Sequence, residues 1–263
     1  MARHRARKRF GQHFLHDRGV IERIVRAINP QPTDTIVEIG PGEGVLTHPL
    51  VPQCKQFHAI EIDRDLAASL VTHYNQDPHV LIHQGDALKV DICSLAQPDE
   101  KIRLVGNLPY NVSTALLFHF MRHINCIEDM HFMLQKEVVD RIVASPGSKS
   151  YGRLSILIQM LCDVESLFDI GPGAFRPPPK VWSAVIRLQP RQQPLIGKEK
   201  IRALEQFGQR LFSQRRKTLR KILQGSISVD ALESLGIDSS RRPETLALEE
   251  IVALLDLLPR TDL

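Results

Sequence analysis

Three glycines stand two apart in Glu38-Ile39-Gly40-Pro41-Gly42-Glu43-Gly44, behind the β-branched run Thr35–Ile39 and ahead of Val45–Leu50. Glycine at a strand end lets the backbone turn tightly, and without a Cβ it lets a ligand approach the main chain. The spacing is G-x-G-x-G. The dinucleotide fingerprint would put another glycine where this chain has Val45. Glu61 follows Gly40 by twenty-one residues. An acid there, at the end of the next strand, can accept both ribose hydroxyls of an adenine nucleoside. Asp86, in Gly85-Asp86-Ala87, ends a third strand pattern. It can accept from the amino group of an adenine, cap the segment that follows, or do both.

A second cluster, Asn107-Leu108-Pro109-Tyr110, follows a fourth strand pattern. The asparagine oxygen and the Leu108 carbonyl can accept from both hydrogens of an exocyclic amine. That draws lone-pair density out of the ring and makes a poor nucleophile better. Tyr110 offers a stacking face for a flat base. Pro109 stiffens the turn and sacrifices no needed donor, because acceptors are required here. A plain strand-to-helix turn is the simpler reading of these four residues taken alone.

The elements that must carry these groups alternate. Strand patterns fall at Thr35–Ile39, Phe57–Ile62, Val80–His83, Arg103–Gly106, Met130–Leu134, Val164–Asp169 and Ala184–Leu188. Helical periodicity marks 17–28 (with Asp17 as N-cap), Val45–Leu50, Asp65–His73, Ser113–His123, Glu137–Ala144 and Gly152–Cys162. Alternation of this kind predicts a doubly wound α/β sheet, mostly parallel, with ligands at the strand C-termini. After Pro190 the strand signal ends, and 198–212, 214–223, 229–235 and 248–258 are helical. Two domains are expected: 1–190, opening with a basic arm over 1–16, and a small all-helical domain over 191–263.

Of the 263 residues 43% are hydrophobic and 24% charged, enough to bury a core without disulfides or metal. No eighteen-residue apolar run exists, so no membrane-spanning helix is expected, and the basic N-terminus has no apolar stretch of a secretory signal. A cytoplasmic protein is expected. Cys54, Cys93, Cys126 and Cys162 are widely spaced with no C-x-x-C pair, so they read as thiols, with no zinc site and no disulfide framework. Charge is uneven. Residues 1–30 carry eight Lys/Arg against two acids, 31–190 thirteen against eighteen, and 191–263 thirteen against ten. Arg3, Arg5, Arg7, Lys8 and Arg9 crowd the start, and Arg210, Arg215, Arg216, Lys217, Arg220 and Lys221 share a stretch without acids. Basic clusters flanking an acidic middle suit a polyanion, as they would suit a solvated face.

The glycine loop, the two acids and the N-L-P-Y turn together resemble the adenine-amino methyltransferases. Lys8-Arg9-Phe10-Gly11-Gln12-His13-Phe14-Leu15, Leu134-Gln135-Lys136-Glu137-Val138 and Phe175-Arg176-Pro177-Pro178-Pro179-Lys180-Val181 narrow the resemblance to the small-subunit ribosomal RNA adenine dimethyltransferases, over essentially the whole chain. The resemblance implies a Rossmann-like class I methyltransferase fold and S-adenosyl-L-methionine as cofactor. It also implies dimethylation of two adjacent adenosines in the 3′-terminal hairpin of small-subunit ribosomal RNA. Gln12, His13 and Leu15 would border the methionine end of the cofactor, with Gly40, Gly42 and Gly44 as its loop, Glu61 on the ribose and Asp86 on the adenine. Asn107 and Leu108 would hold the target amine beside Pro109, and Tyr110 and Phe175 would sandwich the flipped base. No metal is implied. The family's usual asparagine is replaced by His13, which changes reach and protonation at that contact. The implied partner is an immature small ribosomal subunit, met by a monomer.

Four other readings share parts of this pattern. A nicotinamide oxidoreductase would use the glycine loop and Glu61, but not the loop spacing or the N-L-P-Y turn. A DNA adenine methyltransferase would lack the proline-rich Phe175 segment and helical tail. A large-subunit RNA methyltransferase of the antibiotic-resistance type shares most motifs. A ribosome assembly factor could bind without catalysis.

Overall fold

A computed structural model describes residues 12–258 of the chain. Arg3, Arg5, Arg7, Lys8 and Arg9 of the expected basic arm, and the Phe10-Gly11 part of its motif, lie outside the described residues. The strands are β1 (Phe14–Leu15), β2 (Thr35–Ile39), β3 (Gln56–Glu61), β4 (Val80–Gln84), β5 (Ile102–Asn107), β6 (Ile127–Gln135), β7 (Cys162–Ile170), β8 (Phe175–Arg176) and β9 (Ser183–Pro190). The helices are α1 (Arg18–Ile28), α2 (Thr47–Leu50), α3 (Arg64–His73), α4 (Ser113–Arg122), α5 (Lys136–Ile142), α6 (Arg153–Leu161), α7 (Ile201–Ser213), α8 (Leu219–Ile222), α9 (Val229–Ser234) and α10 (Leu248–Asp256).

Seven strands form one sheet in the order β4-β3-β2-β5-β6-β9-β7. The pairs β3–β4, β2–β3, β2–β5 and β5–β6 are parallel, and β9 runs antiparallel to β6. All five residues of β2 are buried, as a central strand covered on both faces requires. The chain order reverses beside β2: β3 and β4 lie on one side, β5 and β6 on the other. That reversal opens a crevice at the C-terminal ends of β2 and β5. Close approach there depends on Gly106 (φ +159°), where a Cβ would come within 2.5 Å of the Ile39 carbonyl oxygen.

Local chemistry accounts for most of the element ends. Asp17 caps α1 by accepting from the Val20 N–H at 3.0 Å, and left-handed Asn29 closes the helix. Ile24 and Ile28 are the buried part of its apolar face. The helix expected over 45–50 begins only at Thr47, because the residues before it still belong to the glycine turn. The 214–223 helix shrinks to α8, since Thr218 takes an extended backbone and the cationic run before it forms a turn.

Periodicity gives no sign of one pairing. β1 and β8 form a two-stranded antiparallel ribbon, with Phe14 opposite Arg176 and Leu15 opposite Phe175. Nor does the reading of four thiols survive. Cys93 and Cys126 are disulfide-bonded with Cα atoms 5.5 Å apart, although 33 residues separate them in sequence. Folding brings together the turn after β4 and the turn after α4, which spacing along the chain cannot reveal. Cys54 and Cys162 remain thiols, and burial pushes them up to about 11 and about 12.

The contacts gather into two units. One holds the described residues up to Val139 with Glu165–Gln189, and the other holds Asp140–Val164 with the residues from Pro190 onward. In the second unit α6 packs on α7. Arg241 grips Glu250 through both terminal guanidinium nitrogens, and Glu250 in turn accepts from the Ala247 N–H at the start of α10. Arg215 donates to the Lys149 and Tyr151 carbonyls, while Arg216, Lys217, Arg220 and Lys221 are exposed. Among the described residues no helix is long and apolar enough to cross a membrane.

Candidate active site

A cavity of about 360 Å³ opens at the crevice beside β2 and β5, within the first unit. Gln12, His13, Leu15, Gly40, Gly42, Glu61, Asp86, Asn107, Leu108, Pro109 and Tyr110 all line it. Gly40, Gly42 and Gly44 take left-handed backbones (φ 66°, 60° and 82°), which a side chain would strain. This is why the turn after β2 is built from glycine.

Glu61 ends β3 and does more than the sequence suggested. Its Oε2 accepts from the Gly42 N–H at 3.0 Å and its Oε1 from the Asp63 N–H at 2.8 Å. The carboxylate therefore ties the glycine loop to the neighbouring strand. Each oxygen keeps a second lone pair, so it can still accept from a ligand. Burial raises its pKa, and the two backbone donors partly offset that. Asp86 caps the short turn after β4, accepting from the Leu88 N–H at 3.1 Å through Oδ1. It also lines the cavity, so capping does not compete with a ligand role for the whole carboxyl group. Gln12 donates to Asp63 at 3.3 Å.

At the end of β5 the Asn107 amide has a defined orientation. Its Nδ2 donates to the His13 carbonyl at 3.1 Å, so Oδ1 is the end left to accept. Leu108 donates its N–H to the Met133 carbonyl at 3.1 Å, which anchors the turn to β6. Tyr110 Oη sits 2.6 Å from Ser183 Oγ, and burial raises the phenol's pKa. The His13 ring lies against Tyr110 with centroids 5.6 Å apart and planes 26° apart. Its Nδ1 is 2.7 Å from the Pro177 carbonyl. A carbonyl can only accept, so Nδ1 carries the hydrogen. The imidazole is thus engaged with Pro177 and Tyr110, and holds the proline loop to the cavity.

Phe175 meets the site only through Leu15 and does not itself line the cavity. It is 1% exposed, lies opposite Leu15 in the β1–β8 ribbon, and belongs to the core around Ile24, Ile28 and Leu50. Its side chain does not line the cavity wall, unlike that of Tyr110, with which the resemblance would pair it. The physical reason is the ribbon register, which points this ring inward.

Two groups escaped the sequence reading. Ser183 fixes Tyr110 across 73 residues of chain, and no local signal marks it. Glu38, two residues before Gly40, lines the cavity and accepts from Thr47 Oγ1 at 2.6 Å. The acid just before the glycine run was the available signal. Burial pushes its carboxyl up to about 8, despite the Thr47 hydrogen bond, with the Glu61 charge adding to the effect. Its folded pKa lies above the ordinary carboxylate range, so its stabilising contribution is complete at acid pH and lost as pH rises toward about 8. Glu38→Gln keeps an acceptor for Thr47 but cannot ionise. The fall in denaturant midpoint between about pH 5 and about pH 9 should be shallower in this variant than in the parent. An equal slope in both would assign that fall to other groups.

The site can be tested for fit to an adenosine-bearing cofactor. It offers acceptors at the ends of β3 and β4, a glycine turn at the end of β2, and apolar walls from Ile62, Leu88 and Val112. A nucleoside presents hydroxyl and amine donors on a flat apolar body, so the donor and acceptor sets match.

Known proteins resemble this chain along nearly its whole length. The family model described as "Ribosomal RNA adenine dimethylase" matches residues 3–259. The chain is 54% identical to "Ribosomal RNA small subunit methyltransferase A" of Nitrosococcus oceani over 95% of each chain. It is 52% identical to the protein of that name from Acinetobacter baylyi, over 96% of this chain and 92% of the other. Among solved structures, a dimethyladenosine transferase from Plasmodium falciparum superposes with a TM-score of 0.79 at 25% identity, covering 93% of this chain and 97% of that one. The 23S rRNA methyltransferase ErmE gives 0.69 at 26% identity, covering 93% and 99%.

Proposed function

The chain belongs to the ribosomal RNA adenine dimethylase family, and from that premise we propose that it methylates the exocyclic amines of two adjacent adenosines in the 3′-terminal hairpin of small-subunit ribosomal RNA. The product is N6,N6-dimethyladenosine, made on an immature small ribosomal subunit by a monomeric enzyme. The oriented amide of Asn107 carries the chemical part of this reading. The small-subunit relatives, at 54% and 52% identity against 26% for the large-subunit enzyme, favour the small-subunit target.

S-adenosylmethionine, when bound, supplies a methyl group already activated as a sulfonium, so no covalent enzyme intermediate is required. Glu61 accepts the ribose hydroxyls with the lone pairs that Gly42 and Asp63 leave. Asp86 accepts the adenine amine, and Gln12, His13 and Leu15 border the methionine end. Asn107 Oδ1 and the Leu108 carbonyl accept from the target amine and hold its nitrogen in line. Tyr110, fixed by Ser183, presents its ring to the base. The amine becomes acidic only after methylation, so its proton can leave to water without a strong general base. The exposed Arg216, Lys217, Arg220 and Lys221 contact RNA phosphates.

The test supplies labelled S-adenosylmethionine and small ribosomal subunits lacking the modification, then identifies the methylated nucleosides after digestion. Dimethyladenosine at two adjacent small-subunit positions is expected. Label only in naked large-subunit RNA would move the chain to the resistance-type activity. Subunit binding without label would leave it an assembly factor.

A further inference from the structure

Trp182 is the only tryptophan of the chain, and at 56% it is the most exposed large apolar side chain among the described residues. Its backbone is fixed at the end of β6, where its carbonyl accepts the Lys136 N–H at 2.9 Å. The outer edge of its ring approaches Gly171, where a Cβ would stand 3.7 Å from Cη2. The next residue, Ser183, is the one whose hydroxyl holds Tyr110 at 2.6 Å. The indole therefore sits at the same sheet edge as the ring assigned to the target base.

The segment that presents it is rigid and cationic. Pro177, Pro178 and Pro179 restrict the backbone, and the His13–Pro177 hydrogen bond ties the loop down. From Phe175 to Trp182 the loop carries Arg176 and Lys180, both exposed, and no acid. Beside it Val181, Pro177 and Pro178 are the exposed apolar side chains of the segment, a narrow run interrupted by Lys180 rather than a broad protein-docking patch. A flat, pre-positioned aromatic flanked by cations matches single-stranded nucleic acid, whose bases stack while its phosphates seek charge.

We infer that Trp182 is a stacking platform for an unpaired nucleobase flanking the target adenosine, so that it helps set which nucleotide enters the cavity. This rests on the reading of the chain as an RNA adenine methyltransferase.

The single tryptophan makes the test direct. A protein-free RNA hairpin with adjacent adenosines in its loop should quench the indole emission saturably, and a fully paired duplex should not. With unmethylated small subunits, Trp182→Ala should raise KM roughly tenfold with little change in kcat, and Trp182→Phe should recover most of the loss. The dissociation constant for S-adenosylmethionine should not move, which separates stacking from a general loss of structure. Hairpin binding without quenching, or an unchanged KM in Trp182→Ala, overturns the inference while wild-type methylation upholds the enzyme reading. If the wild type labels no RNA, that reading falls, and the quench by hairpin against duplex still decides the stacking site.

Discussion

Asn107→Ala should lose roughly 10²–10³-fold in kcat while S-adenosylmethionine still binds within about twofold, the scale seen when one preorganised polar group is removed from a reacting centre. The amide is positioned before the substrate arrives, because its nitrogen is held by the His13 carbonyl. Asn107→Asp should fare no better. A carboxylate cannot donate to that carbonyl, so the lock is replaced by repulsion. Glu61→Ala is the converse variant. It removes a ligand acceptor and also the two backbone bonds that tie the glycine loop to β3. Cofactor affinity should drop roughly 10–100-fold, with kcat at saturating cofactor largely kept. Equilibrium binding and single-turnover methylation, run on both variants, separate the roles. Parallel losses in both constants for both variants would dissolve the assignment.

Phe175→Ala should destabilise the protein by about 3–5 kcal/mol, lowering the melting temperature by on the order of 10 °C. The ring is buried against the Leu15 ribbon and the α1 core, so its removal leaves a cavity that close-packed neighbours cannot fill. Activity at low temperature should follow the folded fraction, and Phe175→Leu should recover most of both. A variant that melts like the parent yet fails in turnover would return this ring to the target base, as the family resemblance implied.

Much of the parallel half of the sheet is legible in the chain because each strand there is short, apolar and closed by a turn signal. Gly40, Gly42 and Gly44 are marked for the same reason, since they shape the turn they sit in, and Glu61 and Asp86 are marked by their places just after strand patterns. The β1–β8 ribbon was not legible. Two-residue strands have no period, and their partners lie about 160 residues apart. The same holds for Cys93 and Cys126, whose pairing depends on two turns meeting.

The sequence by itself determined the order of the strands and helices of the parallel part of the sheet, the positive-φ loop, the two acids and the N-L-P-Y turn, since these follow from local backbone and side-chain chemistry. Only the tertiary structure decided which hydrogen bond each group spends and which it keeps. It gave Glu61 to the glycine loop, turned the Asn107 amide by the His13 carbonyl, held Tyr110 with Ser183, and buried Phe175. The physical reason is that hydrogen-bond partners and burial are set by distance in space, and each of these contacts joins segments far apart along the chain.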